Sequence, residues 1–364
     1  MTVPTPNATG AGCLFPPLDR RLKIPRRSGS ARFQRKVCEA NLAGSYPKAS
    51  RLLEALAGVT VSPKQVQLIT ERVGSILDRE RQEKTDAFLK PRQGAATPVR
   101  KKAPALLVLS LDGGRVQTRQ EKPEEKWKEN KISVVYEATP TPECPGQTYQ
   151  GPPPQRRSVT ATMAPWEALG DHLSALAHER GYAQALQKVC VADGAGAIAS
   201  VRERCFPDAA FVLDWSHAVE HLHQAGQAAF GAGAEAAAWI ERQKDRLWNG
   251  RLAPLIGEIA RLSRRAGKAP PRASDTDPRR ILANNLHYFQ CNRLGMDYPA
   301  FRKNGWPLGS GIIESTVKQI GKRLKGTEKH WSLSGAEAAL QVTTHLIAED
   351  GSWLLFWKRC PLAA

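Results

Sequence analysis

The 364-residue chain contains no run of about twenty uninterrupted apolar residues, the length a membrane span requires. It also lacks an amphipathic stretch suited to anchoring at a membrane surface, so no membrane partner is expected. There is no Cys-x-x-Cys pair. The seven cysteines (Cys13, Cys38, Cys144, Cys190, Cys205, Cys291 and Cys360) are scattered and odd in number, which excludes a disulfide framework and a zinc ribbon. A reducing compartment fits that usage. The opening Met-Thr-Val-Pro-Thr-Pro-Asn has no basic start followed by an apolar stretch, which argues against a secretory signal. The expected location is therefore the cytoplasm of a bacterium, at the nucleoid. Acid is in short supply: 35 Asp and Glu stand against 53 Lys and Arg, a formal charge of +18. Such an imbalance favours a polyanionic partner, nucleic acid first.

Residues 1–45 read as a basic arm. Arg20, Arg21, Lys23, Arg26, Arg27, Arg32, Arg35 and Lys36 face only Asp19 before Glu39, the pattern of a phosphate-contacting tail or of a solvated linker. Helical spacing begins near Pro47 with Leu52, Leu53 and Leu56 and stops at Gly58. A second helix opens at Ser62: Ser62 and Gln65 form a capping box, with Pro63 at the first helical position. Val66, Ile69, Val73, Ile76 and Leu77 then follow on one face. Residues 46–90 accordingly read as a helix-turn-helix-like DNA-binding region carrying Lys64, or as a packed helical hairpin of the same pattern. Residues 91–104, with Pro, Gly and basic residues but no apolar period, read as a linker.

A new domain begins at residue 105. Leu106–Leu111 is an apolar run of strand length that meets Asp112-Gly113-Gly114, where the strand is expected to end. Ile132–Tyr136 and Arg157–Thr162 give two more strands. Trp166–Arg180 reads as a helix, and Lys188–Ala192 as a strand stopping at Asp193-Gly194. A helix over Ala197–Cys205 and a strand over Ala210–Leu213 complete the series. That order predicts an α/β protein with a mixed sheet flanked by helices. From Asp214 to about Arg280 the pattern is helical, and Trp239 and Trp248 there are expected to pack in a core.

Two apolar strands that each run into Asp-Gly are the first chemical signal. A carboxylate at a strand end points into a shared crevice, and glycine leaves room for a ligand. The plain alternative is that Asp-Gly is a common turn. Glu314 supplies a third acid, in Gly309-Ser310-Gly311-Ile312-Ile313-Glu314 at the start of a helix that Ser310 is placed to cap. After it come Lys318, Lys322, Arg323, Lys325 and Lys329, with Glu328 the one acid before Trp331. On a continuing helix, 318 and 322 share one face and 325 and 329 another, so the cluster suits a phosphate backbone or a solvated helix surface. Trp306 is a candidate for stacking on an unpaired base, or for loop packing. His217-Ala218-Val219-Glu220-His221 matches an inverted zinc-peptidase motif, which would need a further ligand and leaves the charge unexplained.

Taken together, four segments resemble the ISKra-type insertion-sequence transposases, related to the Mutator-like group. They are Ser110–Gly114, Val191–Ala195, Phe206-Pro207 through Leu213–His217, and Phe301 through Gly305–Glu314; Gly326 and Trp331-Ser332 resemble the next landmark. The likeness runs from about Cys13 to Lys358. It implies a ribonuclease-H-like core in two parts, residues 105–217 and 306–364, split by a helical insertion at 218–305. It also implies that Asp112, Asp193 and Glu314 are catalytic and bind two Mg²⁺ or Mn²⁺ ions, with Asp214 and His217 as an auxiliary Asp-x-x-His motif. The implied partners are transposon-end and target DNA, bound by a homodimer or larger oligomer. Family members carry a cysteine-rich segment upstream of a stretch like Cys13–Asp19, and that segment is expected to be missing here through truncation or a misassigned start. A catalytically inactive DNA-binding descendant is the alternative within the same fold.

Overall fold

The computed structural model describes residues 29–90, 102–119, 126–326 and 328–359, so Arg26 and Arg27 lie outside the described residues. Two compact units emerge, one of residues up to 72 together with those from 351, the other of residues 73–350.

In the first unit the expected irregular arm gives way to a helix, α1 (Ala31–Ala40). Ser30 Oγ accepts from the Phe33 amide at 3.2 Å, and Gln34, Val37 and Cys38 are buried along one side. The three share a helical face that the surrounding arginines hide in the sequence. Helix α2 (Tyr46–Ala57) ends at Gly58, whose φ of 61° is the left-handed turn that glycine makes without strain. Helix α3 (Pro63–Leu89) opens with the expected capping box: the Gln65 amide donates to Ser62 Oγ at 3.2 Å and the Ser62 amide to Gln65 Oε1 at 3.3 Å. Lys64 is exposed in its first turn. Helix α3 runs 27 residues and continues past the unit boundary at Arg72.

The second unit is built on five strands and the helices between them: β1 (Leu106–Gln117), β2 (Trp127–Ala138), β3 (Gln155–Thr162), α4 (Trp166–Glu179), β4 (Gln187–Ala192), α5 (Gly196–Cys205) and β5 (Ala210–Leu213). The sheet order is β3-β2-β1-β4-β5. β1, β2 and β3 are antiparallel neighbours, whereas β4 runs parallel to both β1 and β5. This is the expected mixed sheet flanked by helices, consistent with a ribonuclease-H-like core. Leu107, Leu109 and Leu111 of β1 bury against Leu169, Leu173, Ile198 and Val201 of α4 and α5. Side chains alternate along a strand, so Leu106, Val108, Ser110 and Asp112 belong to the opposite face.

Strand β1 does not end at Asp112. It runs on through Gly113 and Gly114, paired with Lys131 and Asn130 of β2, as far as Gln117. The two glycines make no turn there; they make room. A Cβ at Gly113 would lie 2.6 Å from Glu129 Oε1, and one at Gly114 2.6 Å from Asn130 Oδ1.

After β5 come α6 (Trp215–Phe230), α7 (Ala234–Trp248), α8 (Leu252–Ala266), α9 (Pro278–Cys291) and α10 (Tyr298–Lys303). Trp239 is 1% exposed in their core beside buried Ile240, Leu255 and Ile259, as expected of it. Trp248 packs edge-on against Trp215 with the Arg302 guanidinium 3.9 Å from its ring centre. Helix α11 (Gly311–Leu324), which carries Glu314, packs on β1, and α12 (Leu333–Ile347) packs on β3. Helix α13 (Ser352–Arg359) belongs to the first unit, where Trp353 Nε1 donates to Glu39 Oε1 at 3.1 Å.

Helices α3 and α12 meet at Gly74, where a Cβ would stand 2.1 Å from the carbonyl oxygen of Ala338. Backbone cannot yield as a flexible side chain does. Gly74→Ala is expected to destabilise the protein by about 2 kcal/mol despite alanine's better helix propensity, because overpacking outweighs that gain. A thermal melt lowered by roughly 4–8 °C checks it, and an unchanged melt would mean that the helices separate freely.

Candidate active site

Residues Leu106 to Ser110 of β1 each pair with the residue 81 positions later on β4, Leu106 with Gln187 and Ser110 with Val191. Asp112 and Asp193 have the same separation, 193 − 112 = 81. The shared offset brings both acids to the level of the C-terminal end of β4. Asp193 lies one residue beyond β4, and Gly194 after it has φ +84°. A Cβ on Gly194 would come within 2.8 Å of the Asn292 side chain, so both conformation and space favour glycine there. Tyr288 on α9 donates its hydroxyl to the Asp193 carbonyl at 2.9 Å. Sequence reasoning did not single out Tyr288 or Asn292, which brace the Asp193 loop from about 95 residues away, and no local pattern marks them.

Asp112 is partly buried, and its Oδ1 accepts from the Gly113 amide at 2.6 Å. Burial raises its carboxyl above the ordinary value of 3.8, the Gly113 bond lowers it, Asp193 raises it, His217 lowers it and Glu314 raises it. Asp193, His217 and Glu314 are therefore all near enough to act on Asp112. Glu314 sits in the first turn of α11, its Oε1 3.4 Å from Ser310 Oγ and its Oε2 3.4 Å from Lys318 Nζ. Ser310 occupies the N-cap position, but its hydroxyl turns to Glu314 and not to a backbone amide.

Asp214 is fully buried and ties this region together. Its Oδ1 accepts from the His217 amide at 3.1 Å and from the Ser216 hydroxyl, capping α6. Its Oδ2 accepts from the Ser310 amide, at the head of the helix that carries Glu314. The Asp214 amide donates to Ala192 on β4 at 2.9 Å, and the Trp215 amide to Leu308 at 2.9 Å. One side chain thus joins the end of β5, the start of α6 and the start of α11. Asp214 meets His217 through the backbone amide, as a helix cap.

Carboxylates supply hard oxygen donors, the kind that suits Mg²⁺ or Mn²⁺. Among the described residues no group of three or more His, Cys, Asp or Glu stands where it could hold a metal ion. Glu314 is instead turned to Ser310 and Lys318. The same holds for the His-x-x-Glu-His stretch. His221 Nδ1 is 2.7 Å from Asn285 Oδ1 and its ring stacks on Tyr288 at 3.5 Å, while Glu220 is largely exposed beside His217. Asn285 donates its own amide to Ile281, so its oxygen faces His221, which is the donor. Both partners hold His221 as a packed residue between α6 and α9.

The basic cluster after Glu314 divides. Lys318, Lys322 and Lys325 are exposed, but Arg323 is 2% exposed, its guanidinium 5.0 Å from the Trp331 ring centre. Arg323 is thus a core residue rather than a surface contact. Helix α11 ends at Leu324, so 325 and 329 do not share a helical face. Lys329 folds back and donates to the carbonyls of Lys322 and Arg323, at 3.1 and 2.9 Å, closing the helix end. Trp306 stacks on Phe301 with centroids 5.7 Å apart, and its indole N–H donates to Gln187 Oε1. Loop packing accounts for it.

Among the described residues no helix is long and apolar enough to cross a membrane. No protein-family model matches the chain, and no curated protein matches it. Among solved structures it is similar to a Drosophila P element transposase strand transfer complex, with 12% identity over 91% of this chain and 94% of that chain and a TM-score of 0.38, a likeness too coarse to relate individual residues.

Proposed function

We propose that the chain is a DNA transposase of an insertion sequence, cutting at terminal inverted repeats and joining the freed 3′ ends to target DNA as a dimer or larger assembly. The observation that carries this reading is the shared 81-residue offset of the β1–β4 register and the Asp112–Asp193 pair, with Glu314 close enough to act on Asp112. In this reading Asp112, Asp193 and Glu314 hold two Mg²⁺ or Mn²⁺ ions. Bound there, the ions supply Lewis-acid charge and activate water or a DNA 3′-hydroxyl.

The protein's own part is positioning and charge. Asp112 is held in β1, Asp193 by the Tyr288 bond just beyond β4, and Glu314 by the Asp214–Ser310 bond at the head of α11. Lys318 and Lys322 follow Glu314 at steps of four on one face of that helix, where they meet a phosphate backbone beside the acids. No side chain needs to bond covalently to DNA, since orientation and neutralisation of phosphate charge supply the rate.

The test is incubation with Mn²⁺ and a duplex that carries the element's terminal repeat. The expected product is a nick leaving a 3′-hydroxyl, lost on adding a chelator. DNA that is retarded on a gel but never cut would instead support the inactive DNA-binding descendant. Glu220→Gln is expected to leave nicking unchanged, because its carboxylate is largely exposed on α6.

A further inference from the structure

Helix α8 ends in Arg264-Arg265-Ala266-Gly267, and Lys268-Ala269-Pro270-Pro271-Arg272 follows. Arg264, Arg265, Lys268 and Arg272 are all exposed. No acid occurs between Glu258 and Asp275. Neighbouring cations are neutralised: Arg261 by Glu258, Arg279 by Asp277 and Arg280 by Asp275. None of the four makes an ion pair or side-chain hydrogen bond among the described residues. Two of them, Arg264 and Arg265, complement the negative end of the α8 dipole. Lys268 and Arg272 lie beyond the helix, where the dipole gives no reason for them.

The position of this loop is fixed relative to the acids. Arg280 in the first turn of α9 donates to the Pro271 carbonyl at 3.4 Å, pinning the loop to the start of that helix. The other end of α9 reaches the Asp193-Gly194 turn through Tyr288 and Asn292. From Pro278 to Asn292 the helix rises about 21 Å at 1.5 Å per residue. At 3.4 Å per base pair, that is roughly six base pairs of duplex.

We propose that Arg264, Arg265, Lys268 and Arg272 form a second DNA-binding surface, gripping backbone phosphates of the cleaved duplex about six base pairs from the scissile phosphate. This rests on the reading of Asp112, Asp193 and Glu314 as the cutting site. It assigns to the helical layer between β5 and α11 a clamp that sets how much duplex the enzyme must hold, with no part in reading bases.

The test uses the full-length protein with all four residues changed to Gln, against terminal-repeat duplexes extending either three or ten base pairs past the cut on each side, over a salt series. With the long duplex, the slope of log affinity against log salt is expected to fall by about 0.9 for each phosphate no longer neutralised, so by 3 to 4 in all. That makes the variant roughly 100-fold less sensitive than wild type to a rise from 50 to 200 mM salt. With the short duplex the two proteins should bind alike. Equal slopes on the long duplex would overturn the proposal, and so would an equal loss on both duplexes or on heparin, which would mark a generic polyanion patch. Wild-type nicking with Mn²⁺, run in parallel, tests the cutting site separately: a protein that shows the slope change but never nicks keeps the clamp and loses the nuclease reading.

Discussion

Asp112→Asn is expected to slow Mn²⁺-dependent nicking by about 1,000-fold or more, since an amide cannot replace a carboxylate as an anionic metal ligand and the acids act as a unit. The same substitution should raise the melting temperature of the metal-free protein at neutral pH. The sign follows from the carboxyl's surroundings. Its folded-state pKa lies above the ordinary 3.8 because burial and then Asp193 and Glu314 disfavour the charge, against the Gly113 bond and His217. Ionised Asp112 therefore costs stability at any pH above the raised value, and the cost fades as pH falls through that value towards 3.8. Asn carries no charge to bury, so the variant should melt above wild type at pH 7 and alongside it below pH 3.8. Saturating Mn²⁺ should reverse the ranking. At a hundred times its dissociation constant a cation stabilises the wild type by about 2.7 kcal/mol, and it should do little for the variant. A variant that nicks at the wild-type rate, or gains as much from Mn²⁺ as wild type does, would remove Asp112 from the site.

Strands β1 and β4 were legible in the sequence as apolar runs of strand length, each meeting Asp-Gly. Helix starts were legible too, where a side chain closes its own cap, as at Ser62 and Gln65. The end of β1 was not. Its far half pairs with Trp127–Lys131, a polar stretch with no apolar alternation, so glycines that make room for Glu129 and Asn130 looked like a stop. Arg323 misled for a related reason: a cation among lysines reads as surface, and only the fold brings the Trp331 ring over it. Helix α1 hid its buried Gln34, Val37 and Cys38 inside a basic segment. What no local pattern could give were contacts across long stretches of chain, such as Tyr288 to Asp193 and Asp214 to Ser310.

The second of those contacts sets the other large effect. Asp214→Ala should cost about 3–5 kcal/mol in urea unfolding, because it removes a buried charge-assisted acceptor and orphans the amides of His217 and Ser310 along with the Ser216 hydroxyl. The helix cap accounts for about 1 kcal/mol of that, and the unsatisfied Ser310 amide for roughly 1–3 kcal/mol. Asp214→Asn separates fold from site. Its one carbonyl oxygen can still cap α6, but its amide group then faces the Ser310 N–H, donor against donor. The head of α11 should loosen and Glu314 with it, while β1, which carries Asp112, and the Tyr288 bond to Asp193 are untouched. A folded Asp214→Asn protein should thus bind Mn²⁺ at least 10-fold more weakly, the usual effect of removing a group that orients a ligand, and nick more slowly at every Mn²⁺ concentration below saturation. Wild-type Mn²⁺ affinity in that variant would reduce Asp214 to a helix cap. Glu314 would then be held by the packing of Ile313 and Ile320, both 1% exposed on α11, and not by the bond at Ser310.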